Sequence, residues 1–265
     1  MCIRDSQIGD LADLIMLDTR LVGRDEQLDY AKDIEQAGSV EAFLKRDLYN
    51  PDRQLLGKEQ EAWLQEALQS SKSRGAIWQV LGQQVLMGKL NIPVIPPEEI
   101  TKLEISEYAR PRFEQAQQLA PYGLPSNLDA WDGYPAARER LFAMLSVDAT
   151  NPISLAGDTH NGWAFNLTNA QGEAVGVEWG TPGVSSPGLE NYVPLPPEQM
   201  QALLKGASPE LVACDTTRRG WTQVTITPEA ATAEWQFLSS VTEPTYTTQT
   251  GPELKMRAGH RRLKV

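Results

Sequence analysis

The stretch that decides the fold is Pro152-Ile-Ser-Leu-Ala-Gly-Asp-Thr-His-Asn-Gly-Trp163. Its first five residues form a short apolar run that Gly157 ends, and this pattern predicts a buried strand followed by a tight turn. In open α/β sheets the ligand crevice lies just beyond the carboxyl ends of the strands. We therefore expect Asp158 and His160 to lie at such a crevice.

Asp158 and His160 are the first candidate catalytic residues and metal ligands. In extended backbone, two residues spaced by two point the same way. A carboxylate offers hard oxygen to Ca²⁺, Mg²⁺ or Fe³⁺, and a neutral imidazole suits transition metals. The pair could therefore hold a metal ion. An Asp-x-His pattern is also common by chance, and the alternative is that Asp158 caps a turn while His160 is an ordinary loop histidine.

Length and charge narrow the class of protein. The chain has 265 residues, of which 41% are hydrophobic and 22% charged, as in an ordinary globular protein of one or two domains. The net charge of −11 argues against a nucleic-acid-binding surface, because phosphate backbones are bound through Lys and Arg. A small phosphorylated substrate stays possible, since metal ions can supply positive charge. No apolar run is long enough for a membrane span, which needs about 18 residues.

Two more predicted strands end in polar side chains. Residues 12–18 and 76–81 are apolar runs of the kind found in strands buried on both faces. Asp18 and Arg20 follow the first run, and Gln83 and Gln84 follow the second. We expect all four at the same crevice, where they could orient a metal ligand or a phosphate oxygen. The alternatives are a local ion pair for the first two and hydrogen bonds to loop backbone for the glutamines.

The remaining pattern is typical of layered α/β proteins. A helix is predicted from Pro135 to about residue 145, with Asp132 as a possible cap. Residues 243–265 are polar with a basic end, and we expect a solvated tail there. Further helices are predicted at 26–37, 39–47, 58–71 and 197–205. Antiparallel strands are predicted from short alternating runs at 163–167, 174–179, 210–214, 221–227 and 233–238.

Five segments, taken in order, form a specific pattern. They are Gly9-Asp-Leu-Ala-Asp-Leu-Ile-Met-Leu-Asp-Thr-Arg20, Leu55-Leu-Gly-Lys-Glu-Gln-Glu-Ala-Trp-Leu64, Trp78-Gln-Val-Leu-Gly-Gln-Gln-Val85, Asp129-Ala-Trp-Asp-Gly-Tyr-Pro-Ala-Ala-Arg138 and Leu155-Ala-Gly-Asp-Thr-His-Asn-Gly-Trp163. In this order they resemble the alkaline phosphatase D (PhoD-like) family of metallophosphoesterases. Ser185-Ser186 and Arg218-Arg-Gly-Trp221 agree as well, and the resemblance spans nearly all of residues 7–240.

The resemblance implies an αββα sandwich of the metallophosphatase type. It implies hydrolysis of small phosphate monoesters or diesters with Fe³⁺ and Ca²⁺, in the periplasm or outside the cell. The metals would bind phosphate oxygens and activate a hydroxide. Asp158 would then be a direct metal ligand, and His160 a ligand or a contact to the leaving group. The residues implied around them are Asp18, Arg20, Gln83, Gln84, Asn161 and Trp163.

The chain also departs from the family pattern. Many relatives carry Asn where this chain has Gln83. The family's export signal and several metal-binding motifs precede the region that this chain matches. We therefore expect residues 7–242 to be the C-terminal part of the phosphatase domain, with an incomplete sandwich lacking its first strands and a tail at 243–265. Met1–Ser6 is set aside as foreign to the fold. Two metals need more ligands than Asp158 and His160 supply, so we expect the chain to be inactive alone.

A second class of function is a non-catalytic, β-rich binding module. In that case the Asp-x-His pattern would only fix a loop. Aromatic side chains such as Trp131 and Tyr134 would be exposed and would bind a glycan. Hydrolysis of p-nitrophenyl phosphate by the product of the completed gene, with Ca²⁺ and iron, separates the two classes.

Overall fold

The computed structural model describes residues 5–264, which form two β-sheets and a set of helices. The helices are α1 (Tyr30–Ala37), α2 (Val40–Phe43), α3 (Lys58–Ser73), α4 (Pro97–Ile100), α5 (Arg110–Leu119), α6 (Pro135–Asp148) and α7 (Pro197–Ala207), with a π-helical turn at Leu44–Leu48. The strands are β1 (Asp5–Ile8), β2 (Ala12–Met16), β3 (Trp78–Gly82), β4 (Pro152–Ala156), β5 (Gly162–Thr168), β6 (Ala174–Gly180), β7 (Leu211–Asp215), β8 (Gly220–Ile226), β9 (Ala230–Leu238), β10 (Thr248–Arg257) and β11 (Leu263–Lys264).

The large sheet has the strand order β1-β2-β3-β4-β6-β5-β7. Strands β2, β3, β4 and β6 are parallel neighbours, whereas β1, β5 and β7 run antiparallel to the strands they pair with. The carboxyl ends of β2, β3 and β4 therefore meet at one edge of the sheet. The predicted strand at 152–156 is confirmed with the same bounds, and its turn lies at this edge.

The small sheet packs face to face on the large one. It has the order β11-β10-β9-β8 and is antiparallel throughout. Apolar side chains such as Trp78 and Val177 of the large sheet pack with Trp235 and Phe237 of the small sheet in one buried cluster. The sheets approach closely at Gly162, where a Cβ atom would lie 2.9 Å from the ring of Trp235.

Helices cover the opposite face of the large sheet. Leu64 of α3, Leu141 of α6 and Leu204 of α7 pack with Leu81 and Phe165 of the sheet in a second buried cluster. The order of layers is helices, large sheet and small sheet, so residues 5–264 form three of the four layers of an αββα sandwich. The predicted α/β fold class is confirmed. Among these helices, none is both long and apolar enough to cross a membrane.

The expected solvated tail at the carboxyl end is wrong. Residues 248–257 form β10, and both Leu254 and Met256 are fully buried between the sheets. The alternation of polar and apolar residues at 253–257 indicates a strand, although the polar composition of the region favours a tail. Beyond β10, the backbone N–H of Leu263 donates to Asn166 of the large sheet at 2.8 Å. The proposed division of the chain into a domain and a tail stays a prediction.

Three smaller expectations also change. Residues 1–4 of the segment that was set aside lie outside the described residues, but Asp5 and Ser6 belong to β1, which pairs with β2. The predicted antiparallel strands after residue 163 divide between two sheets, with β5, β6 and β7 in the large sheet and β8 and β9 in the small one. Strand β6 also pairs in parallel with β4. Asp132 does not cap α6. Its carboxylate accepts instead from the backbone N–H of Leu90 at 2.8 Å.

Candidate active site

The loop after β4 bends sharply at both candidate ligands. The φ angles of Asp158 and His160 are 69° and 61°, so the expected extended backbone is wrong. Left-handed backbone costs a residue with a side chain about 1 kcal/mol or more, and such strain is concentrated at functional sites. The loop is held by a 3.0 Å hydrogen bond from the N–H of Gly157 to the carbonyl of Gln84. Both candidate side chains line one cavity.

Asp158 belongs to a network of four alternating charges. Its Oδ1 lies 2.7 Å from Nη2 of Arg20, whose Nη1 lies 2.6 Å from Asp129. Arg24 forms a second ion pair with Asp129. Burial acts to lower the pKa of Arg20, but the hydrogen bonds and charges of the two aspartates raise the pKa overall. Two cations face two carboxylates, so the network has no net charge of its own.

His160 is held in one tautomer by a backbone carbonyl. Its Nδ1 lies 2.9 Å from the carbonyl oxygen of Pro187. A carbonyl only accepts hydrogen bonds, so Nδ1 must carry the proton, and Nε2 of the neutral ring keeps its lone pair. An imidazole oriented in this way is the usual arrangement of a metal-binding histidine. The carbonyl of His160 accepts from Arg219 at 2.8 Å, which fixes the backbone on the other side.

Asn161 and Trp163 hold the loop after β4 through hydrogen bonds. Oδ1 of Asn161 accepts from the N–H of Leu189 at 3.0 Å, whereas its Nδ2 is buried without a partner among residues 5–264. Trp163 is buried, and its Nε1 donates to Oγ1 of Thr159 at 2.6 Å. Thr159 lies between the two candidate ligands, so this bond connects the site loop to the sheet.

Replacing Thr159 by valine tests that connection. The change leaves the buried indole N–H of Trp163 unpaired, so we expect the free energy of unfolding to fall by about 1–2 kcal/mol. Urea unfolding measures the loss. Thr225→Val, on the exposed side of β8, is the matched control and should change stability by less than about 0.5 kcal/mol. Equal effects for the two variants would contradict the inferred role of Thr159.

Asp18 and Gln84 hold the loop that carries Arg20. Oδ1 of Asp18 accepts from the backbone N–H groups of Arg20 and Leu21 at 2.9 and 2.8 Å. Oε1 of Gln84 accepts from the N–H and hydroxyl of Thr19 at 2.9 and 2.6 Å. These contacts hold the backbone that carries Arg20. The roles of Asp18, Arg20 and Gln84 in the site stay predictions.

Gln83 points into the protein interior. Its Nε2 donates to Ser154 at 2.9 Å and to Glu178 at 3.2 Å, and its Oε1 accepts from the indole of Trp131 at 2.6 Å. Every polar atom of the amide is thus bonded within the protein. Its part in the site stays a prediction, and the contacts favour support of neighbouring side chains over contact with substrate.

The two aromatic residues that the binding-module alternative expects at the surface are buried. Trp131 and Tyr134 are both 0% accessible to solvent. Trp131 bonds to Gln83, and the hydroxyl of Tyr134 donates to the carbonyl of Asp25 at 2.9 Å. The prediction that they grip a glycan is therefore wrong. Their burial removes the observation on which that alternative depended.

Three buried carboxylates beside the site were not identified from the sequence. They accept hydrogen bonds from four successive backbone N–H groups, those of residues 87–90. Glu178 binds the first two, both at 2.8 Å, Glu210 the third at 2.9 Å and Asp132 the fourth at 2.8 Å. Burial raises the pKa of Glu178 to about 7 and that of Asp132 to about 6. The carboxylates fix the chain as it leaves the crevice, and residues 90–95 then line the cavity.

Asp129 and Arg24 were also missed as part of the site. Asp129 lies in one of the five resembling segments, but nothing in the local sequence connects it to Arg20, which is 109 residues earlier.

The side chains present fit a metal ion only in part. Residues 5–264 contain no group of three or more His, Cys, Asp or Glu side chains that could hold a metal ion. Asp158 and His160 therefore supply at most two protein donors.

Comparison with known proteins identifies the family. The family model described as "PhoD-like phosphatase" matches residues 2–235. This chain belongs to the PhoD-like phosphatase family. The resemblance predicted from five short segments is thereby confirmed. The matched range ends within β9, so β10 and β11 lie beyond it.

Two relatives show how much of a family member this chain spans. The chain is 31% identical over 241 residues to alkaline phosphatase D of Bacillus subtilis (strain 168), a match that covers 89% of this chain and 34% of that protein. A solved structure described as "Structure of PhoD" superposes with a TM-score of 0.67 at 26% identity, covering 98% of this chain and 43% of that one. The chain therefore spans about a third of the curated relative it matches.

Proposed function

We propose that this chain forms part of the active site of a metal-dependent phosphoesterase that hydrolyses phosphate monoesters or diesters. The observation that carries the proposal is the arrangement of Asp158 and His160. Both lie on a strained loop at the carboxyl end of β4 and both line one cavity. The ring of His160 is held so that Nε2 keeps its lone pair. Family membership supports the phosphoester class of substrate.

The charge balance around Asp158 supports metal dependence. Arg20 and Arg24 are neutralised by Asp129 and Asp158. A phosphate dianion brought to this network would meet no excess positive charge. Bound cations would supply positive charge for its binding at this network. Fe³⁺ and Ca²⁺ are the pair that the resemblance implies, and residues beyond Asp158 and His160 must complete their coordination.

In the proposed reaction, water adds to phosphorus, the ester P–O bond breaks, and the alcohol leaves with a proton. Bound metals would supply positive charge and lower the pKa of the attacking water. Asp158 and His160 would hold the metals. Arg20 keeps the carboxylate of Asp158 oriented, and its own position is fixed by Asp129. The proposal places the protein in the periplasm or outside the cell.

The activity test uses Asp158→Ala. Hydrolysis of p-nitrophenyl phosphate and bis(p-nitrophenyl) phosphate is measured with Ca²⁺ and Fe³⁺, for this chain and for the longest reading frame that contains it. We expect the variant to lose at least about 100-fold in kcat/KM in whichever form is active, because a metal ligand contributes several kcal/mol to the transition state. Asp52→Ala, at an exposed turn, should keep the wild-type rate. An Asp158→Ala protein with wild-type activity would refute the assignment.

Metal binding gives a readout that does not depend on turnover. Free Mn²⁺ is measured by electron paramagnetic resonance during titration of the 265-residue chain. We expect Asp158→Ala and His160→Ala each to weaken Mn²⁺ binding at least tenfold, because each removes one donor. Asp52→Ala should bind as the wild type does. If all four proteins bind Mn²⁺ equally, the two residues are not metal ligands.

A further inference from the structure

The cavity beside the site loop is large, and most of its wall is apolar. It encloses about 500 Å³, within the range of small-molecule sites. Its walls come from α5, α7, residues 90–95 and the loop at 187–193. Apolar side chains on these walls include Ile92, Phe113, Ala116, Leu189, Met200 and Leu204.

Asp158 and His160 of the site loop line this cavity, together with Asn161, whose Nδ2 is buried without a partner among the described residues. The other polar residues on the described wall are Tyr108, Arg112, Gln117, Ser126, Asn127, Thr159 and Tyr192. Of these, Gln117 is already bonded to backbone. Its Oε1 accepts from the N–H of Ile95 at 2.9 Å, and its Nε2 donates to the carbonyl of Pro93 at 3.2 Å. The cavity therefore combines the polar residues of the site loop with an apolar body, which is formed by the apolar side chains of α5, α7 and residues 90–95 and 187–193.

We propose that the apolar body binds the organic group of the substrate, so that the phosphoesters cleaved here are esters of hydrophobic alcohols. The proposal rests on the phosphoesterase function proposed above. With the phosphorus near Asp158 and His160, an aryl or alkyl group extends between α5 and α7. Arg112 is the one Lys or Arg side chain on the wall that the structure describes.

The walls disfavour a polar alcohol for a physical reason. A sugar or glycerol group placed against Phe113, Met200 and Leu204 would lose the hydrogen bonds that its hydroxyls make with water. Burying a hydroxyl without a partner opposes binding, whereas burying methylene groups favours it. The cavity thus selects among phosphoesters by the polarity of their organic group.

The test measures affinity rather than turnover. Binding of 2-naphthylmethylphosphonate and methylphosphonate, which carry the same head group on a C–P bond that resists hydrolysis, is measured by calorimetry on the 265-residue chain with Ca²⁺. We expect the naphthyl compound to bind at least tenfold more tightly. Equal affinities would overturn the proposal, and this comparison needs no variant.

A matched pair of variants on α5 locates the site. Ala116 faces the cavity, and Ala116→Trp fills it, so the naphthyl preference should fall at least tenfold. Gln118 is exposed on the other side of the same helix, and Gln118→Trp should keep the preference within about twofold. A naphthyl preference that survives Ala116→Trp in a folded protein would place the apolar site elsewhere and overturn the proposal.

A third ligand separates failure of this inference from failure of the proposed function. 2-Naphthylmethanol has the apolar group and no phosphonate. If it binds as tightly as the naphthylphosphonate, the cavity does not hold a phosphoester and the inference fails, whatever the activity assays show. If Asp158→Ala keeps full hydrolytic activity while the naphthyl preference persists, the assignment of Asp158 as a metal ligand fails. The proposal that the cavity binds an apolar group is then retained.

Discussion

Replacing Arg138 by methionine is expected to lower the free energy of unfolding by about 4 kcal/mol, because it leaves a buried carboxylate without its counterion. Arg138 is 1% exposed and its partner Glu210 is 7% exposed. The guanidinium lies 2.7 Å from Glu210 and donates to the carbonyl of Met87 at 2.7 Å. It also packs over the ring of Phe142 at 4.2 Å.

The same change should loosen the chain beside the site. Glu210 binds the N–H of Lys89, and Arg138 binds the carbonyl of Met87, so the pair holds the segment that leads into the cavity wall. We expect the midpoint of thermal unfolding to fall by about 10 °C. Calorimetry and urea unfolding measure the two quantities.

Arg140→Met is the matched control for Arg138→Met. Arg140 lies on the same helix, but its side chain is 31% exposed. It pairs with Glu61, which is 13% exposed, and donates to the carbonyls of Pro51 and Arg53. Solvent screens such a pair, so a loss of about 1 kcal/mol is expected. Adding Glu210→Gln to Arg138→Met should recover part of the loss by removing the unpaired charge. Similar losses for the two arginine variants would show that the buried pair has no special role.

The stability of the protein should fall between pH 4 and pH 8 because of two buried carboxyl groups. Burial raises the pKa of Glu178 to about 7 and that of Asp132 to about 6. A carboxyl whose pKa is higher in the folded state stabilises that state below its ordinary pKa, near 4. The contribution is lost as the pH rises through the folded-state pKa. Each group should contribute about 3 kcal/mol to this fall.

Glu178→Gln isolates one of the two titrations. The glutamine does not ionise, so the fall in unfolding free energy from pH 5 to pH 8 should be smaller by about 3 kcal/mol. The variant should also be less stable at pH 5, because Met87 and Gly88 donate to a position that Gln fills partly with its own NH₂ group.

Urea unfolding at a series of pH values measures both effects of Glu178→Gln. Glu243→Gln, at an exposed position, is the control and should reproduce the wild-type slope. A Glu178→Gln protein with the wild-type pH dependence would mean that Glu178 does not titrate in this range.

Local patterns in the sequence were enough to predict the strand that leads into the site loop. The apolar run at 152–156 and the glycine after it predicted β4 with its observed bounds, since a buried strand needs only neighbouring residues of the right kind. The order of five segments was enough to predict the family. Both signals lie along the chain and do not depend on which distant residues meet.

Only the tertiary structure decided which residues share the site. Arg20 meets Asp129 and Asp158, which lie 109 and 138 residues away, and no local pattern encodes such pairings. The structure likewise buried Trp131 and made residues 248–257 a strand, because packing partners elsewhere in the chain determine exposure. Sequence therefore determined β4 and the family, whereas the fold determined β10, the charge network, the cavity and the strained loop, since these depend on contacts between distant segments.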